Sequence, residues 1–146
     1  MTLELRVCCG RASVVGTPWP DLADLFTPAE RAHSAAAKDR DGLAGRLAAK
    51  RAVAGVLGAD HGDRGLLRRI QILPEPRHPC RDPGLCARGH PPAAVLEPVT
   101  SAGCGADLIW AGLIWIDVSV SHEAGQAFAA SLAIVGRPVP GIAPEG

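Results

Sequence analysis

A chain of 146 residues has room for one domain with one modest core, and its 15 basic residues balance its 15 acidic ones. Charge balance excludes the general electrostatic grip on nucleic acid or anionic membrane that a strongly basic chain would have. The longest strongly apolar stretch, Leu108 to Ile116, is far shorter than the roughly 20 residues needed to cross a bilayer. The N-terminus lacks the basic, apolar and cleavage-site order of a secretory signal, so the 5 cysteines are expected as reduced thiols in a cytoplasmic protein.

Ala12 to Thr17 is expected as a short strand, with Val14 and Val15 apolar and Gly16 ending it. Pro18 and Pro20 break the ladder because proline has no N–H to donate. Thr27 marks a helix start: it caps, Pro28 suits the first helical position, and Glu30 completes a capping box. That helix is expected to run to about Lys38. A second helix is predicted over Asp41 to Leu57, where Leu43, Leu47, Ala54 and Leu57 recur on one face, with Gly58 as its stop. Arg46 and Lys50, four apart, share a face of it.

Arg69 to Leu73 reads as a strand. From about 74 to 105 the composition turns to Pro, Gly, Cys and His, which predicts a long loop or insertion with one strand at Ala93 to Glu97. Trp115 to His122 alternates with period two, placing Ile116, Val118 and Val120 on one face and Asp117, Ser119 and Ser121 on the other. Glu123 to Gln126 reads as a turn, and Ala127 to Val135 returns as an apolar strand, completing a hairpin. The tail after Gly136 is rich in Pro and Gly and is expected to fray, as is the N-terminus that carries Cys8 and Cys9. The whole reads as a single α+β domain over 1–146, without internal repeats.

Ser119, Ser121 and His122 lie at a strand end before a turn, either as phosphate-contacting groups or as the polar face of an edge strand. Glu123 and Asp117 are candidate acid–base groups or simply solvated carboxylates. His78, Cys80, Cys86 and His90 have the ligand chemistry of a zinc site, though their spacing fits no tight zinc knuckle.

Three segments, in this order, resemble the holo-acyl-carrier-protein synthases, the short type of 4'-phosphopantetheinyl transferase. They are Phe26-Thr27-Pro28-Ala29-Glu30; Leu43 to Lys50 with Ala52, Val53, Leu57 and Gly58; and Val118-Ser119-Val120-Ser121-His122-Glu123. Ile70 to Pro74 resembles the family's middle strand, and Val15-Gly16-Thr17 the start of its N-terminal strand motif. The resemblance implies a small antiparallel sheet packed against helices, often as a homotrimer with active sites between subunits. It also implies transfer of 4'-phosphopantetheine from coenzyme A to a serine of an acyl carrier protein. In that reaction an Asp and a Glu hold Mg²⁺, which neutralises charge developing at phosphorus. By resemblance, His122, Glu123 and Lys50 are the catalytic candidates. Arg46, Lys50, Arg51, Ser119, Ser121 and His122 are those for binding coenzyme A.

The sequence also departs from the pattern. On this alignment Pro18 stands at the family's Asp, Arg51 at its Glu, and Gly55 at its second Lys, and the helix before Phe26 is missing. Asp21 is the candidate replacement metal ligand. Exchanging Glu for Arg replaces a metal ligand with a fixed cation that pairs bidentately with phosphate, so Arg51 with Lys50 and Arg46 becomes a candidate metal-free phosphate site. Three functions stay open: a transferase with a rebuilt metal site, a non-catalytic module binding coenzyme A or a carrier protein, and an enzyme acting on a carrier-bound acyl chain through Asp117, His122 or Glu123.

Overall fold

The computed structural model describes residues 1–16, 19–37, 40–74, 92–98 and 105–138. Its centre is a three-stranded antiparallel sheet in the order β1 (Thr2–Ser13), β5 (Gln126–Arg137), β4 (Leu113–Glu123). β5 pairs along its whole length with β1, from Thr2 opposite Arg137 to Ser13 opposite Gln126. β4 and β5 form the expected hairpin around Ala124 and Gly125, both in the left-handed conformation that a two-residue turn requires. A second, two-stranded sheet pairs β2 (Ile70–Pro74) with β3 (Pro92–Leu96).

The long helix α3 (Arg40–Val56) packs on the inner face of the three-stranded sheet. Its buried residues include Ala44, Leu47, Ala48, Ala49, Ala52 and Val53, and the small side chains let helix and strand approach closely. At the closest point a Cβ on Gly10 would lie 2.3 Å from the Ala48 carbonyl oxygen, so β1 can pass here only with glycine. Gly58 ends α3 as expected: the Ala59 amide donates to the Ala54 carbonyl (2.9 Å), the bond that closes a glycine-terminated helix.

Shorter helices surround this core: α1 (Trp19–Ala23), α2 (Pro28–Ala37), α4 (Arg64–Arg69) and α5 (Gly105–Ala111). The capping box at α2 forms, with the Glu30 amide donating to Thr27 Oγ1 (3.2 Å) and Glu30 Oε1 accepting from the Thr27 amide (2.9 Å). Glu30 then does more than cap. It is wholly buried, accepts from the Ile72 amide (3.2 Å), and pairs with Lys50 Nζ at 2.5 Å. Lys50 is equally buried. Its ammonium also donates to the carbonyls of Leu25 (2.7 Å) and Leu67 (3.0 Å) and lies 5.1 Å from the Phe26 ring centre. One ion pair therefore fastens α2, α3, β2, the end of α4 and the segment before α2.

The N-terminal strand spans Thr2–Ser13 rather than 12–17, and Cys8 and Cys9 lie inside it instead of in a frayed end. Gly16 lies in a turn beyond the strand, so Val15-Gly16-Thr17 is not the strand motif; Thr17 and Pro18 lie outside the described residues. The helix expected to be missing before Phe26 is present as α1. α4 and α5 were not anticipated, and Arg69 ends α4 instead of opening β2. These helices are too short to show a period, and α4 is held by its Asp63 cap, which accepts from the Leu66 amide (3.1 Å), and by packing of Leu66 and Leu67. No helix among the described residues is long and apolar enough to cross a membrane.

The Lys50–Glu30 pair generates a prediction. Glu30→Ala leaves a buried ammonium without its counter-charge and should cost about 3–5 kcal/mol, read from the urea midpoint. A loss below about 1 kcal/mol would mean the pair does not anchor the helices.

Candidate functional site

Among the described residues, three cavities around α3 and the hairpin divide the expected site residues. The largest of these, about 570 Å³, is lined by Cys9, Gly10, Arg11, Arg51, His61, Gly62 and Phe128. Arg51 is half-buried on the side of α3 that faces β1, and its guanidinium donates to the Arg11 carbonyl (2.7 Å). Burial lowers its pKa from the ordinary arginine value by disfavouring the charged form, yet arginine remains a cation at neutral pH. Arg11 points to the exposed face of β1 and lies opposite Phe128 in the register.

One turn along α3, Gly55 stands where the resemblance expects a second lysine. A Cβ there would lie 2.1 Å from Cys8 Sγ and 3.2 Å from His61 Nε2. Those two atoms are themselves 3.6 Å apart, in thiol–imidazole contact. The space a side chain at 55 would need is therefore filled from β1 and from the turn after α3.

A second cavity, about 180 Å³, is lined by Gly42, Gly45, Arg46, Ile72, Pro74, Pro92, Val120 and His122. Arg46 Nε donates to the Ile72 carbonyl (3.1 Å), which fixes it across β2. The third, about 440 Å³, lies at the hairpin end between Ser121, His122, Glu123, Ala124, Gln126 and Phe128. Phe128 is shared with the largest cavity.

The expected coenzyme A set does not gather in one place. Arg46 and His122 meet at one cavity and Arg51 lines another, while Ser119 and Ser121 face away from α3 on the exposed side of β4. His122 shares strand parity with Val118 and Val120, so it points toward α3 and away from the serines. Lys50 reaches none of these cavities: its ammonium is directed into the core, and burial outweighs the Glu30 carboxylate to lower its pKa. Asp117 Oδ1 accepts from the Val118 amide (3.0 Å). Glu123 borders only the hairpin cavity. Asp21 is exposed on α1, where its carbonyl accepts from Arg64 (3.3 Å), and it lines none of the three cavities. His78, Cys80, Cys86 and His90 lie outside the described residues.

The donor set of the Arg51 cavity does not fit magnesium. Hard divalent cations take oxygen ligands, mostly carboxylates, whereas the described lining offers two guanidinium groups, one imidazole, one thiol and a ring. Among the described residues no three His, Cys, Asp or Glu side chains gather around a common point.

An antiparallel sheet with one long helix across its inner face defines a small α+β protein of known type. It matches the holo-acyl-carrier-protein synthase of Neisseria meningitidis with a TM-score of 0.62 at 21% identity, over 88% of this chain and 96% of that one. The acyl carrier protein synthase of Mycobacterium tuberculosis gives 0.53 at 27% identity, over 90% of this chain and 97% of that one. The enzyme of Plasmodium yoelii gives 0.58 at 15% identity, over 94% and 100%. No protein-family profile and no curated protein matches the sequence. The chain therefore has the fold of the short holo-acyl-carrier-protein synthases.

Sequence reasoning overlooked Arg11, Cys8 and His61. The signal for Arg11 and Cys8 was the period-two run Leu3, Glu4, Leu5, Arg6, Val7, which marks a strand from the start of the chain. His61 had none, because only the fold brings it to β1. The crowding over Gly55 is testable: Gly55→Ala should cost about 2–3 kcal/mol in thermal or urea unfolding, and Cys8→Ala in the same chain should recover most of it. Equal losses with and without Cys8 would show that the thiol does not fill this space.

Proposed function

We propose that this holo-acyl-carrier-protein synthase-like protein binds coenzyme A, an acyl carrier protein, or both, and that phosphopantetheine transfer is reduced or lost. The observation that carries this reading is Arg51. The residue aligned with the family's metal-binding Glu is a half-buried cation bonded to the Arg11 carbonyl, in a cavity whose described lining lacks a carboxylate. A transfer step that relies on Mg²⁺ to neutralise charge at phosphorus has nothing in this lining to hold the ion.

The sheet supports a trimeric assembly as part of the same reading. Glu4 and Arg6 of β1 turn toward the helix side as a partly covered ion pair (2.7 Å), while Leu3, Leu5 and Val7 stand 61%, 65% and 63% exposed on the outer face. Trp115 and Phe128 extend this apolar surface across β4 and β5, and Phe128 also borders the Arg51 cavity. Apolar residues aligned along one sheet face favour burial against another subunit, and the copies this fold family assembles are its natural occupants.

Two experiments test these points. Titration with coenzyme A and with apo-carrier protein should show binding of at least one. Carrier loading should be slower by about a thousandfold or more than a metal-dependent synthase assayed in parallel, and Mg²⁺ should not restore it. Fast, Mg²⁺-dependent loading would overturn the loss of transfer, and failure to bind either ligand would remove the reading. Light scattering should give about three times the 15.1 kDa chain, and Leu5→Glu with Val7→Glu should yield folded monomer. A monomeric wild type would sink the trimer.

A further inference from the structure

We infer that Arg11, Arg51 and His61 form an anion site that holds a phosphoryl or pyrophosphoryl group directly, without a metal ion. The sequence suggested Lys50 and Arg46 as the partners of Arg51. Geometry excludes Lys50, which is buried in its pair with Glu30, and places Arg46 in a separate cavity. The partners it supplies come from β1 and from the turn after α3.

Charge and hydrogen bonding carry the argument. Arg51 is half-buried, yet no carboxylate pairs with it among the described residues, and its one hydrogen bond there, to the Arg11 carbonyl, uses one of five N–H donors. That bond holds the guanidinium at the cavity lining and leaves the rest of the donor fork available to an acceptor. Arg11 has no ion pair among the described residues and borders the same cavity from the edge of β1. Like charges brought to one concavity repel each other, and a dianion between them turns that repulsion into two charge-assisted contacts. His61 borders the same cavity, and its Nε2 lies 3.6 Å from Cys8 Sγ, which holds the ring beside β1. Phe128 borders the same cavity and offers an apolar surface suited to the uncharged part of a phosphorylated ligand.

The site thus selects a compact group carrying two or more negative charges: pyrophosphate, a phosphomonoester, or the diphosphate of coenzyme A. Naming coenzyme A rests on the function proposed above; the anion chemistry does not. Neutral and singly charged ligands of the same size should bind far less well.

The probe is inorganic pyrophosphate, titrated calorimetrically into the full chain with EDTA and then with Mg²⁺. Binding should persist in EDTA, weaken with added salt, and gain nothing from Mg²⁺. Arg11→Ala removes one cation but keeps the backbone carbonyl that holds Arg51, so the fold should stand while affinity falls on the order of tenfold. Arg51→Lys keeps the charge but loses the fork, and should weaken binding by a similar factor. A requirement for Mg²⁺, an Arg11→Ala affinity equal to wild type in a folded chain, or no pyrophosphate binding would each overturn the inference. If coenzyme A binds and both variants leave it unchanged, this site is refuted while coenzyme A recognition stands. If pyrophosphate binds through the arginines but neither coenzyme A nor a carrier protein binds, the site stands and the proposed function falls.

Discussion

A single buried ion pair sets the orientation of everything that matters for function. Lys50 and Glu30 meet in the core, and their remaining hydrogen bonds reach the segment before α2, the end of α4 and the start of β2. Two charges removed from water are tolerable only when both are paired and every donor is used, so α3 has one rotation about its axis that satisfies Lys50. With 3.6 residues per turn, fixing Lys50 inward turns Arg51 about 100° round the helix, toward β1. The same rotation sets Arg46, a turn earlier, against β2.

The helix can adopt that rotation only because its sheet-facing side is small. Alanines on α3 and a glycine on β1 bring the two backbones close, and this short distance lets the Arg51 guanidinium reach the Arg11 carbonyl. Close packing, burial of one lysine and exposure of the next arginine are thus parts of one arrangement. Its chemical result is a cavity bordered by Arg51 and Arg11, with a thiol–imidazole contact filling the space over Gly55.

The outer face of the sheet obeys a different rule. In β1 the usual pattern is inverted, with Glu4 and Arg6 on the helix side and Leu3, Leu5 and Val7 outward. Such a strand gains little from the folded monomer. Its alternation makes sense when the outer face is itself a packing surface. Phe128 belongs both to that apolar surface and to the lining of the Arg51 cavity.

The sequence by itself determined the elements whose signals are local. The Thr27–Glu30 capping box, the glycine stop after α3 and the β4–β5 hairpin are all written in neighbouring residues. It also showed a cation, Arg51, at the position where the resemblance expects a carboxylate. Tertiary structure alone decided which charged residues can meet a ligand. Lys50 and Arg51 are adjacent in sequence and opposite in fate, since successive helical residues point in different directions and only packing tells which direction is the core. His122 and Ser121 part company in the same way, on opposite faces of a strand. Arg11 and His61 reach Arg51 from 40 residues before it and from beyond the helix stop, a meeting that no local pattern could have announced.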